Sequence, residues 1–141
     1  MEVVRKKIKT PILRTIIIDD EEHQRLSLRR MLMVYCSKLE VVAQADGVHS
    51  GLEAIQKYKP DLVLLDIQLA DGNAYTLLEQ LAPLNFQVIF ITAFEKYTRK
   101  TSRYTRLNYL LKPIDPDELV EVVGKAVALR RIPPGQKVKG A

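Results

Sequence analysis

Five residues of this 141-residue chain have the types needed for chemistry on a phosphoryl group: Asp19 and Asp20, then Asp66, Thr92 and Lys112. Each follows or ends a short apolar run. The runs are Ile16-Ile17-Ile18, Leu62-Val63-Leu64-Leu65, Val88-Ile89-Phe90-Ile91 and Tyr109-Leu110-Leu111, all of strand length and bounded by turn or helix signals. If the strands are parallel, their carboxyl ends share one edge of the sheet, where open α/β folds place their sites. Three acids, a hydroxyl and an amine converging there point to metal-assisted phosphoryl chemistry.

The elements that must position them alternate. A first strand over about Arg14 to Ile18 is followed by a helix from about Glu22 to Tyr35, with an apolar stripe of Leu28, Met31, Leu32 and Tyr35. Strand two is Glu40 to Ala45. Asp46-Gly47 turns the chain, and Val48, Leu52 and Ile55 mark a second helix that stops before Lys59-Pro60-Asp61. A loop through Asp71-Gly72 follows Asp66, and Tyr75, Leu78 and Leu81 mark a third helix ending near Pro83. Strand four is Gln87 to Ile91. In the last helix, Asp115 suits the cap, Pro116 the first position, and Asp117 and Glu118 the dipole, with Leu119, Val122, Val123 and Ala126 inward. From Arg130 onward the periodicity is lost, as in a linker or tail.

Length and composition fit one self-sufficient α/β domain, with 47% hydrophobic and 28% charged residues. No apolar run reaches membrane-spanning length, and the basic amino terminus lacks the pattern of a secretory signal. The single cysteine, Cys36, cannot pair within the chain, so a cytoplasmic setting is expected. The net charge of +5 is unevenly placed: residues 1–14 carry +4, residues 96–106 carry +5 and residues 130–141 carry +4, leaving −8 for the remainder. His23 and His49 lack ligand partners at useful spacing and read as solvated.

Four motifs in order, Ile18-Asp19-Asp20-Glu21, Leu64-Leu65-Asp66-Ile67-Gln68-Leu69, Phe90-Ile91-Thr92-Ala93 and Tyr109-Leu110-Leu111-Lys112-Pro113, resemble the receiver domain of bacterial response regulators. The wording is nearest to regulators that carry a LytTR-type DNA-binding domain, and no such output domain is present in these residues. The resemblance divides the chain into a basic extension (1–13), a receiver (14–129) and a linker or tail (130–141). It implies a flavodoxin-like, doubly wound (βα)5 fold with a parallel five-stranded sheet in the order 2-1-3-4-5.

The resemblance also implies roles. Asp66 would be the phosphoacceptor, receiving a phosphoryl group from a sensor histidine kinase. Mg2+ would be held by Asp19, Asp20, Asp66 and the backbone carbonyl of Gln68. Thr92 and Lys112 would sense the phosphate, Tyr109 would be the aromatic switch, and Pro113 would follow a cis bond. Gln68 and Phe94 would tune the lifetime of the acyl phosphate. The output surface would comprise the fourth helix, last strand and last helix, controlling an output such as transcription through phosphorylation-favoured homodimerisation or release of an output domain; no membrane partner is expected.

The fourth-helix segment departs from the family, with Thr98, Thr101, Ser102 and Thr105 where Ala, Ala, Phe and Gly are usual, and Lys96, Arg99, Lys100, Arg103 and Arg106 beside them. Raised mobility is therefore expected between Glu95 and Arg106. The alternative function is a phosphorylation-independent binding module whose basic fourth helix holds an acidic protein or nucleic acid. A phosphohydrolase is a further alternative, but Asp66-Ile67-Gln68 lacks the second acid two residues on.

Overall fold

The computed structural model describes residues 12–93 and 109–130. Residues 1–11 of the amino-terminal extension, residues 131–141 of the tail, Phe94 and the basic segment 96–106 with its expected mobility lie outside them. In chain order the elements are β1 (Leu13–Ile18), α1 (Glu22–Tyr35), β2 (Leu39–Ala45), α2 (Val48–Tyr58), β3 (Leu62–Asp66), β4 (Gln68–Leu69), β5 (Gly72–Asn73), α3 (Ala74–Leu81), β6 (Gln87–Thr92), β7 (Tyr109–Leu111) and a final helix, Pro116–Arg130.

Five strands form one sheet in the order β2-β1-β3-β6-β7, and every pairing in it is parallel. With the β4–β5 hairpin set aside, this is the expected 2-1-3-4-5 order. The central strands read as unbroken apolar runs because both faces are covered. Alternate residues of one strand serve opposite sides. Ile16, Ile18, Val63, Leu65, Val88 and Phe90 pack with α2 and α3 residues such as Ile55, Leu77 and Leu78. Ile17, Leu62, Leu64, Ile89 and Ile91 pack with Leu28 and Leu32 of α1 and with Leu119, Val122, Val123 and Ala126 of the final helix. Cys36 joins this second core, and burial pushes its thiol pKa up.

Two expectations need correction. Tyr35 is not part of the buried stripe of α1: it is 51% exposed, because the helix ends there and Cys36, one residue on, is the buried one. The stretch after Asp66 is not a plain loop. Gln68 and Leu69 pair antiparallel with Asn73 and Gly72, and the pattern is too short to show in sequence periodicity. Leu77, absent from the expected α3 stripe, is fully buried.

The helix starts are chemically marked. The Asn73 side-chain oxygen accepts the Tyr75 and Thr76 amides at 2.9 and 3.1 Å, and Asp115 accepts the Glu118 amide at 3.0 Å. Asn73→Ala should lower stability by about 1 kcal/mol, read as a lower urea midpoint with an unchanged slope. An unchanged midpoint would show that the cap contributes nothing.

Candidate functional site

Parallel register brings the strand ends level. Ile18 pairs with Leu65, Asp66 with Ile91, and Thr92 with Leu111. The Asp19 amide donates to the Ala45 carbonyl at 3.1 Å and the Lys112 amide to the Thr92 carbonyl at 2.8 Å, so both residues stand just past the sheet edge. The adjacent Asp19 and Asp20 thereby meet Asp66 and Lys112, both distant from them in sequence.

One carboxylate oxygen from each of Asp19, Asp20 and Asp66 lies within 4.8 Å of the others, with Asp20 exposed and the other two buried. Lys112 Nζ bridges the buried pair, donating to Asp19 Oδ2 at 2.9 Å and Asp66 Oδ2 at 3.0 Å. The remaining oxygens are engaged by backbone: the Glu21 amide donates to Asp19 Oδ1 at 3.0 Å and the Gln68 amide to Asp66 Oδ1 at 3.2 Å.

Burial pushes the Asp66 carboxyl up to about 6, with the Asp19 charge adding to the rise and the hydrogen bond from Lys112 opposing it. For Lys112, burial works against the ammonium, yet the bonds to Asp19 and Asp66 outweigh it and its pKa is raised. Acid and base thus stabilise each other's charged form, but one cation faces two buried carboxylates. A hard divalent ion fits that deficit. Three carboxylates with oxygens within 4.8 Å of one another are the donor type that would hold Mg2+.

The acids open on a cleft of about 980 Å³ whose lining includes Asp20, Asp66, Gln68, Lys112 and Pro113. Its lining also includes Gln24, Ser27, Leu28 and Met31 of α1 and Ile114 beyond Pro113. Thr92 closes β6 beside Asp66's strand and is fully buried. The Lys112–Pro113 peptide is cis. Tyr109 opens β7, half-buried against the α2/α3 core. Phe94 lies outside the described residues. His23 and His49 are exposed and face Glu21 and Glu53.

Two residues near the site were not singled out from sequence. Arg25 donates from Nη1 to the Asp19 carbonyl at 2.7 Å and from Nε to Gln44 Oε1 at 3.3 Å. Asp71 sits in the turn expected of it and also accepts the Val48 and His49 amides at the start of α2. Neither carries a sequence signal: the Asp71 contacts join segments more than twenty residues apart, and the Arg25 contact depends on how α1 folds back over the turn after β1.

A family model described as the response regulator receiver domain matches residues 15–124. The sensory transduction protein LytT of Bacillus anthracis is 32% identical over 134 residues, covering 92% of this chain and 54% of that protein. The transcriptional regulatory protein BtsR of Escherichia coli is 31% identical over 115 residues, covering 81% and 48%. The chain therefore spans about half the length of the curated relatives it matches. The response regulator PhyR of Brucella abortus superposes with a TM-score of 0.73 at 30% identity, over 86% of this chain and 50% of that one. The signal receiver domain of the putative response regulator NarL of Mycobacterium tuberculosis has the same fold, with a TM-score of 0.73 at 23% identity over 84% and 98%.

Proposed function

Because the chain belongs to the family of response regulator receiver domains, modules of two-component signalling, we propose that Asp66 accepts a phosphoryl group from a sensor histidine kinase. The observation that carries this reading is the cluster itself: three carboxylates within 4.8 Å and a lysine bonded to two of them, at one sheet edge. In the transfer, an Asp66 carboxylate oxygen attacks phosphorus as the bond from phosphorus to the histidine nitrogen breaks. The imidazole keeps that electron pair and takes up a proton, and the product is an acyl phosphate. With its carboxyl at about 6, Asp66 is mostly the nucleophilic carboxylate at pH 7.

Asp19, Asp20, Asp66 and the Gln68 carbonyl would hold Mg2+, which supplies positive charge against the incoming phosphoryl oxygens. Lys112 turns its ammonium from Asp66 to a phosphoryl oxygen, and the Thr92 hydroxyl donates to another. Tyr109 then repacks with Thr92. Gln68 and Phe94 set how readily water reaches the acyl phosphate, whose formation from small donors and hydrolysis are slow and self-catalysed. The receiver occupies 14–129, between the basic extension 1–13 and the tail 130–141, in a cytoplasmic protein. Its output is transcriptional, through a DNA-binding domain or a homodimer formed through the basic segment 96–106, β7 and the final helix. Among the described residues no helix is long and apolar enough to cross a membrane.

Acetyl phosphate with Mg2+ tests this directly. The full chain should gain the mass of one phosphoryl group, Asp66→Ala should gain none, and Phe94→Asn should lose the group faster. No gain by the unaltered chain, or equal gain by Asp66→Ala, sinks the reading.

A further inference from the structure

The turn between β4 and β5 makes a second contact that the phosphoryl chemistry does not use. Asp71 in that turn accepts the Val48 amide through Oδ1 at 2.7 Å and the His49 amide through Oδ2 at 3.2 Å. These are the first two amides of α2, whose own cap position is Gly47. The cap is thus supplied from another loop. The fit is close, since a Cβ on Gly47 would stand 2.6 Å from Asp71 Oδ1, and one on Gly72 would stand 3.0 Å from Val48 Cγ2. Gly47 is extended, with φ −173°, a conformation open to any residue. A larger residue there would displace the Asp71 carboxylate from the two amides.

Both segments joined by this contact lead to the site. On one side, Gln68 begins the hairpin and its amide holds Asp66 Oδ1. On the other, Ala45 precedes the β2–α2 turn, and its carbonyl holds the Asp19 amide. Ser50 tightens that turn, its Oγ accepting the Asp46 and Gly47 amides at 3.1 Å.

We propose that Asp71 is a positioning residue: by fastening the loop of Asp66 and Gln68 to the turn that anchors Asp19, it sets the spacing of the metal ligands. It touches none of them, and the inference rests on the Mg2+ and phosphoryl reading above. The two amides also hold its carboxyl below the usual carboxylate range, so it remains a charged acceptor at neutral pH.

The test compares Mg2+ affinity by calorimetry in the full chain, Asp71→Ala, Asp71→Asn and Gly47→Ala, below the melting temperature of each. Asp71→Ala and Gly47→Ala should weaken Mg2+ binding by roughly tenfold, the lower end for groups that orient ligands. Asp71→Asn keeps one acceptor for the Val48 amide and should fall between. If Asp71→Ala melts earlier but binds Mg2+ with unchanged affinity, the residue is only a helix cap and the proposal fails. It also fails if Asn and Ala weaken binding equally while Gly47→Ala does not, which marks a charge effect. Should Asp71→Ala not fold, the other two variants carry the same comparison. An unaltered chain that binds no Mg2+ and takes no phosphoryl group overturns the underlying reading too; a normal unaltered chain beside a normal Asp71→Ala overturns this inference alone.

Discussion

Replacing Asp66 with Asn should make the metal-free chain more stable at pH 7, while removing the phosphoryl acceptor altogether. Burial raises the folded-state carboxyl from 3.8 to about 6, whereas in the unfolded chain it returns to the ordinary value. Because the folded pKa is the higher one, the folded state binds the proton more tightly. The stabilisation that proton brings is fully present below about pH 4 and is lost as the pH rises through about 6. Asparagine, neutral at every pH, does not lose it. A shift of about two units corresponds to roughly 3 kcal/mol, and the open side of the cleft reduces this to about 2 kcal/mol. Urea unfolding in chelator should show the variant ahead at pH 7 and the gap closing towards pH 4. A gap that is absent at pH 7, or constant with pH, contradicts the burial argument.

Lys112→Met should have the opposite effect on stability. It removes the ammonium that bonds both Asp19 and Asp66 and leaves two buried carboxylates facing each other. Breaking one side of a buried pair costs about 3–5 kcal/mol. The lysine side chain is 18% exposed, so about 2–3 kcal/mol is expected here. Mg2+ should recover most of that loss, because it brings charge to the same oxygens, and acidification should recover part of it by protonating Asp66. Phosphoryl uptake from acetyl phosphate should fall by about a hundredfold, the effect of removing one well-placed donor to a developing anion. Thermal melting with and without Mg2+ and at lower pH, together with the uptake rate, checks all four. A variant as stable as the parent without metal would mean that Lys112 does not offset the carboxylates.

Much of this site was legible in sequence because its residues sit beside strong local signals. Asp66 ends a run that only a strand buried on both faces explains, and Lys112 follows another. Strand direction then decides where both end. The features that escaped are those in which one segment completes another. Asp71 looks like any Asp-Gly turn until the first amides of α2 are found above it. Arg25 looks like a solvated cation on α1 until its guanidinium meets the Asp19 carbonyl. Tyr35 failed for a different reason: helical periodicity continues past the point where the sheet stops offering a surface to pack on. The two-residue strands β4 and β5 are shorter than any window in which alternation can be read.

The two cores on either side of the sheet are built from alternate residues of the same strands, and this has an evolutionary consequence. A change of volume at Val63, Leu65 or Phe90 is felt beneath α2 and α3, while Leu62, Leu64 and Ile89 answer to α1 and the final helix. Each layer can therefore drift at its own pace, with compensating substitutions found among its own residues. The strand ends hold still meanwhile, because backbone pairing rather than side-chain identity keeps them level. Solved structures share this fold at 23–30% identity, as such partitioned drift would allow, and the outer faces of the two layers would be free to diverge towards different partners.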